Sequence, residues 1–182
     1  LMGRSATGTL NHSGTTGFGS DGAGRREEQR LDGQVVEALR RFADGVAVWD
    51  RERLISPLTA DAELDPRRAT EAWSARSPQL IGQDTIADIL MGIFAGRVET
   101  THTLIAPRVV IDGGLARLGA PAEVRHRLID DRAVGAQLTY RYTADLVGVG
   151  SRWLVRRIDI DTVRYRGDPA AVYCRAPASR TR

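Results

Sequence analysis

Between residues 116 and 128 the chain alternates without a break. Ala116, Leu118, Ala120, Ala122, Val124, His126 and Leu128 are apolar except for the histidine, while Arg117, Gly119, Pro121, Glu123, Arg125 and Arg127 between them are mostly polar or charged. A period of two sustained over this length specifies a β-strand with one buried and one wetted face. His126 falls on the buried face. Upstream, Thr100–Ile105 and Val109–Ile111 are rich in β-branched residues and read as the partner strand, joined through Asp112-Gly113-Gly114. A three-residue loop pairs Ile111 with Leu115 and His102 with Val124. The two imidazoles then lie diagonally on one face, about 7–8 Å apart between backbones. A two-residue loop sends His102 to the opposite face, so the register decides whether the histidines meet.

Length and composition restrict what surrounds this strand. The 182 residues allow one domain with a sizeable core, and a 42% hydrophobic fraction fits a soluble globule. No apolar run approaches a membrane span, and the first residues lack the charged-then-apolar order of a signal peptide. One cysteine, Cys174, rules out an internal disulfide framework and suits the reducing cytoplasm. Net charge is +3, and every Lys-or-Arg position is arginine. No aromatic-rich basic stripe accompanies them, which argues against a nucleic-acid partner.

Residues 1–24, rich in Gly, Ser and Thr, carry too little apolar surface to order themselves and read as a disordered tail that includes His12. From Arg25, Leu31, Val35, Leu39, Phe42 and Val46 recur at three- and four-residue spacing, the pattern of an amphipathic helix that Gly45 interrupts without ending. A shorter helix over Arg51–Leu58 and a brief strand through Ala62–Asp65 follow. Pro66 to Gly82 reads as a long irregular connection in which Trp73 is either a lid residue or a buried anchor. A second helix fits Asp84–Ala95, with Ile86, Ile89, Leu90, Ile93 and Phe94 on one side. After it come only strands, ending with Ala136–Val147 and Arg152–Tyr165, joined by Gly148-Val149-Gly150-Ser151. In the first of these, Ala136, Leu138, Tyr140, Tyr142, Ala144 and Leu146 share a face. Residues 171–182 read as a basic tail.

Helices followed by consecutive antiparallel strands give an α+β order, with the helices covering one face of a twisted sheet. The hollow between them is offered His102, His126, Tyr140 and Tyr142, a few polar groups on apolar walls, as a small-molecule pocket requires.

Leu64-Asp65 after the first helices, Gly82-Gln83-Asp84-Thr85-Ile86, Thr101-His102, Ile111-Asp112-Gly113, Tyr142 with Asp145-Leu146, Gly150 with Trp153, and Gly167-Asp168-Pro169 together resemble the SnoaL-like branch of the nuclear-transport-factor-2-like superfamily. The resemblance covers about residues 27–170 and places the domain over 25–170. It implies a cone-shaped, cystatin-like α+β domain whose curved antiparallel sheet and N-terminal helices enclose a cavity. It also implies a homodimer through the convex sheet face around Thr139, Arg141 and Thr143, and no metal or organic cofactor. Members of the family include polyketide cyclases, scytalone dehydratase-like enzymes and relatives of epoxide hydrolases and steroid isomerases.

His102 and His126 match the family's histidine pair. The tyrosine and aspartate that dehydratase-like members carry in the first helix correspond here to Phe42 and Ala47, and a common asparagine corresponds to Ala106. Asp44 and Asp50 flank Ala47 by one turn on either side, and Asp50 matches a family aspartate that serves the following loop. The expected pocket is therefore Phe42, Ala47, Trp49, Asp50, Val124 and Tyr142, with His102, His126 and Tyr140 as catalytic groups.

Two imidazoles in an apolar cavity can exchange protons, one accepting as the other donates, and a tyrosine hydroxyl can hold a developing enolate oxygen. That chemistry suits a cofactor-independent lyase, isomerase or cyclase acting on a hydrophobic cyclic, aromatic or polyketide-like compound. The loss of the helix acid points instead to a non-catalytic domain that binds a hydrophobic molecule or serves assembly.

Overall fold

The computed structural model describes residues 20–174. His12, the tail up to residue 19 and the basic stretch 175–182 lie outside the described residues. Helix α1 (Ser20–Ala47) starts ahead of the expected Arg25 and buries Val35, Ala38, Leu39, Phe42 and Ala43 at helical spacing. It stops at Trp49, whose φ of 58° reverses the backbone while the Asp50 N–H donates back to the Gly45 carbonyl at 2.9 Å. A positive φ is costly for tryptophan. The indole is held there by donation from Nε1 to the Val98 carbonyl at 3.2 Å. Helix α2 (Arg51–Ile55) follows, capped by the Asp50 carboxylate, which accepts from the Arg53 N–H at 3.0 Å.

Strand β1 (Leu58–Asp65) begins earlier than the expected Ala62. The expected irregular connection is partly ordered into helix α3 (Arg67–Glu71) and strand β2 (Leu80–Ile81), which pairs with β1. Helix α4 (Gln83–Phe94) buries Ile86, Ala87 and Phe94. Five strands follow: β3 (Val98–Leu104), β4 (Arg108–Asp112), β5 (Leu115–Leu128), β6 (Gly135–Val149) and β7 (Arg152–Gly167). A final helix, α5 (Pro169–Cys174), covers residues expected to begin a basic tail.

All seven strands join one sheet in the order β2-β1-β7-β6-β5, with β3 and β4 sharing the far edge of β5. Pairing is antiparallel throughout β3 to β7, as expected, and the one parallel pair among the described residues is β1 with β7, where Leu64 lies beside Ile158. The fold class is α+β, with the helices on the concave face and α1 running across β3 and β7. The alternation that defined β5 is reproduced position by position. Ala116 through Leu128 are buried at every second residue, and the partners on β6 are the inward Ala136, Leu138, Tyr140, Tyr142, Ala144 and Leu146.

The register around the histidines holds for a different reason than the loop length. The β4–β5 turn has two residues, Gly113 and Gly114, with Asp112 beside Leu115 and Ile111 beside Ala116. Carried unchanged into β3, that register would set His102 against Arg125, on the outer face. The chain breaks instead at Ile105-Ala106-Pro107, where Ala106 takes φ 41°, and pairing resumes one residue out of step. His102 therefore pairs with Val124 after all, and it faces inward with His126.

The outer face is ionic. Arg117 binds Asp145 at 2.8 Å, and Arg157 binds Glu63 at 2.7 Å and Asp159 at 2.9 Å. Among the described residues no helix is long and apolar enough to cross a membrane.

Candidate functional site

The concave side of the sheet and the helices over it enclose a cavity of about 270 Å³. Its back wall is built from inward positions of three adjacent strands: Thr100 and His102 on β3, Val124 and His126 on β5, Tyr140 and Tyr142 on β6. Phe42, Ala43 and Val46 of α1 and Leu90, Ile93 and Phe94 of α4 form the opposite wall. Trp73, Leu80, Ile160 and Tyr173 complete it.

The polar groups in this apolar setting are paired. His126 Nδ1 is hydrogen-bonded to Thr100 Oγ1 at 3.0 Å, and His102 Nε2 to the Tyr142 hydroxyl at 3.0 Å. Each imidazole thus uses one nitrogen, and the other has no partner among the described residues. The Tyr140 and Tyr173 hydroxyls lie 3.0 Å apart. Two phenols share one proton in such a bond, so the second O–H is left to donate elsewhere.

Burial controls the charge state. His126 is 4% exposed, with its ring 5.2 Å from Phe94 and 5.4 Å from Tyr173. Loss of solvation, reinforced by the neighbouring His102, lowers its pKa to about 3. Loss of solvation lowers His102 to about 4, opposed by the Asp44 carboxylate nearby. Burial raises the phenol pKa of Tyr140, Tyr142 and Tyr173. At neutral pH the cavity therefore holds two uncharged imidazoles and three intact phenols.

No protein-family model matches the sequence, and no curated protein matches it. Solved structures match in shape. A scytalone dehydratase-like protein from Novosphingobium aromaticivorans superposes with a TM-score of 0.65 at 17% identity, over 86% of this chain and 99% of that one. A hexachlorocyclohexane dehydrochlorinase from Novosphingobium barchaimii gives 0.58 at 14%, over 77% and 94%. An NTF2-like protein of unknown function from Pseudomonas putida gives 0.54 at 18%, over 73% and 87%. The chain has the NTF2-like fold. At such identities the likeness is one of fold, and a fold hosts many chemistries.

Within this NTF2-like fold, six of the expected site residues come together: His102, His126, Tyr140, Phe42, Val124 and Tyr142 all line the cavity. Ala47, Trp49 and Asp50 do not. Successive helical residues are rotated by about 100°, so with Phe42, Ala43 and Val46 turned inward Ala47 points past the wall. Trp49 lies beyond the helix end, tied to Val98, and Asp50 is occupied as the cap of α2. Asp44 is close enough for its charge to act on His102, yet its carboxylate is bound to Arg53 at 2.9 Å.

Trp73 is an anchor that also lines the cavity, stacked on Tyr173 at 5.7 Å and edge-on to Tyr165 at 6.1 Å. Tyr173 was missed because residues beyond 170 read as tail. A start signal was present: Asp168 caps α5 by accepting from the Ala171 N–H at 2.9 Å, with Pro169 at the first helical position.

Proposed function

We propose that the chain is a cofactor-independent lyase, isomerase or cyclase that moves a proton on carbon in a hydrophobic cyclic compound. The observation that carries this reading is the pair of neutral imidazoles, each with an unused nitrogen, in a largely apolar cavity. An apolar cavity of about 150 Å³ accommodates benzene, so about 270 Å³ suits roughly two fused six-membered rings. Two neighbours of the same fold are named for eliminations, one of water and one of hydrogen chloride.

In the cycle we infer, His126 donates its Nδ1–H to Thr100 and presents the Nε2 lone pair to the ligand. Nε2 takes a proton from carbon beside a carbonyl, and the C–H electron pair passes to the carbonyl oxygen as an enolate. The unshared O–H of the Tyr140–Tyr173 pair donates to that oxygen. An imidazolium with a pKa of about 3 is a strong acid. It gives the proton back, either to another carbon, which isomerises the compound, or to a departing hydroxyl, which leaves as water. So weak a base requires a C–H already acidified by a carbonyl whose oxygen is held by a donor.

Deuterium exchange at the α-carbons of 2-tetralone in D2O, followed by NMR, tests this. Exchange above the buffer rate is expected, falling about 10²–10⁴-fold in His126→Ala. No exchange above buffer, or an unchanged rate in the variant, overturns the catalytic reading.

One observation favours a second reading, a non-catalytic binding or assembly domain: Thr100 and Tyr142, not carboxylates, hold the imidazoles. In that case 2-tetralone binds without exchanging. A homodimer through the convex face and a reducing, cytoplasmic setting for Cys174 belong to the same proposal.

A further inference from the structure

Beside the cavity lies an outer hollow formed by α3 and the segment after it, and the two have Thr70, Ala75, Arg76 and Ser77 in common among their lining residues. Their chemistry differs. The inner compartment is walled by aromatic and aliphatic groups, whereas the outer one is bordered by the hydroxyls of Thr70, Ser74 and Ser77 and by the charges of Arg67, Glu71 and Arg76. Arg76 is the single charged side chain among the residues that line the inner cavity. It is exposed at the junction, and it has no hydrogen bond or ion pair among the described residues. Arg67 differs, being bound to Asp65 at 2.6 Å. An unpaired guanidinium where an apolar cavity opens to water is placed to bind the polar end of a molecule whose rings lie inside.

From this two-compartment arrangement we infer that the ligand is a ring acid: a fused-ring body in the cavity and a carboxylate held by Arg76 at the mouth. This deepens the proposed function by naming its substrate class, and it rests on that reading for the ring-binding cavity. A guanidinium offers two parallel N–H donors to a carboxylate, and the pairing is charge-assisted. Glu71 borders the same hollow and opposes an anion, so the net preference depends on Arg76 directly. A carboxylate at the mouth also fixes which ring carbon faces the imidazoles, so Arg76 sets orientation as well as affinity.

Binding of 2-naphthoate and of its neutral counterpart 2-naphthylmethanol, followed by isothermal titration calorimetry with the full chain, separates the two readings. The expected result is that the acid binds about five- to tenfold tighter, that added salt reduces the difference, that Arg76→Gln abolishes it, and that Arg76→Lys restores part of it. Equal binding of acid and alcohol to the native chain overturns the inference and leaves the proposed function standing. A preference that persists in Arg76→Gln overturns it likewise, since the acid is then recognised elsewhere. Failure of both compounds to bind overturns the inference together with the ring-binding cavity on which it rests.

Discussion

His102 and His126 have pKa values of about 4 and about 3 in the folded chain, against about 6.5 in an unfolded one. Between those values the unfolded state binds more protons, so stability rises with pH. The contribution is complete above about pH 6.5 and is lost as pH falls towards 4 for His102 and 3 for His126. His126→Leu keeps the site apolar and removes one of these groups. Urea unfolding at pH 7 and pH 4.5 should show the variant losing roughly 2–3 kcal/mol less than the native chain over that interval. An equal loss in both would mean that His126 stays solvated. The residues legible from sequence were those whose role follows from alternation: His126, Val124, Tyr140 and Tyr142 sit on the inner face because their neighbours are polar. Ala47, Trp49 and Asp50 were misplaced because helix rotation and the exact helix end decide their direction, and periodicity fixes neither to within one residue.

At the level of elements, the helix periods and the long strands could be read directly, and the connections could not. The turn at Gly113-Gly114 sets one register and the break at Ala106 sets another. Only their combination brings the histidines together, which no local pattern records. Gly45 is similar. In the sequence it interrupts a helix, and in the structure a Cβ there would lie 2.4 Å from Leu54 N and 2.5 Å from Leu54 Cα. The close passage of α2 over α1 requires its absence. Gly45→Ala gains about 1 kcal/mol of helix propensity, but the contact is with backbone that cannot swing away. A net loss of about 1–2 kcal/mol is expected. Gly92→Ala in α4 meets nothing within 4 Å and should be neutral or stabilising by up to about 1 kcal/mol. Opposite signs in thermal unfolding of the two variants check the argument. A stabilising Gly45→Ala would show that the two helices separate at little cost.

For the whole molecule, the proposed homodimer uses the convex face, where Arg117, Asp145, Arg157 and Glu63 are already satisfied within the chain. Surface pairs of this kind contribute about 0–1 kcal/mol each, and an interface over them must exchange partners rather than bury apolar surface. Association is therefore expected to weaken as salt rises. Light scattering at high micromolar protein in low and high salt measures this, and a monomer mass in low salt would remove the dimer. The cavity depends on distant parts of the chain in another way. Helix α5 is held to α4 by Arg97, which donates to the Ile93 carbonyl at 3.1 Å and the Val172 carbonyl at 3.2 Å, and this keeps Tyr173 against Tyr140.

The parallel pairing of β1 with β7 also orders events in time. Strands β5, β6 and β7 are joined by short turns and can zip locally, but Leu64 meets Ile158 only after closure of a loop of more than ninety residues. Such closures are slow, because entropy is spent before contacts reward it. The meander is therefore expected to form with its histidine and tyrosine face still open to water, and the cavity to exist only once the last closure is made. A molecule that fits the cavity has nothing to grip in the folding transition state. Its effect should fall on the unfolding rate alone, lengthening the lifetime of the native chain without hastening its birth.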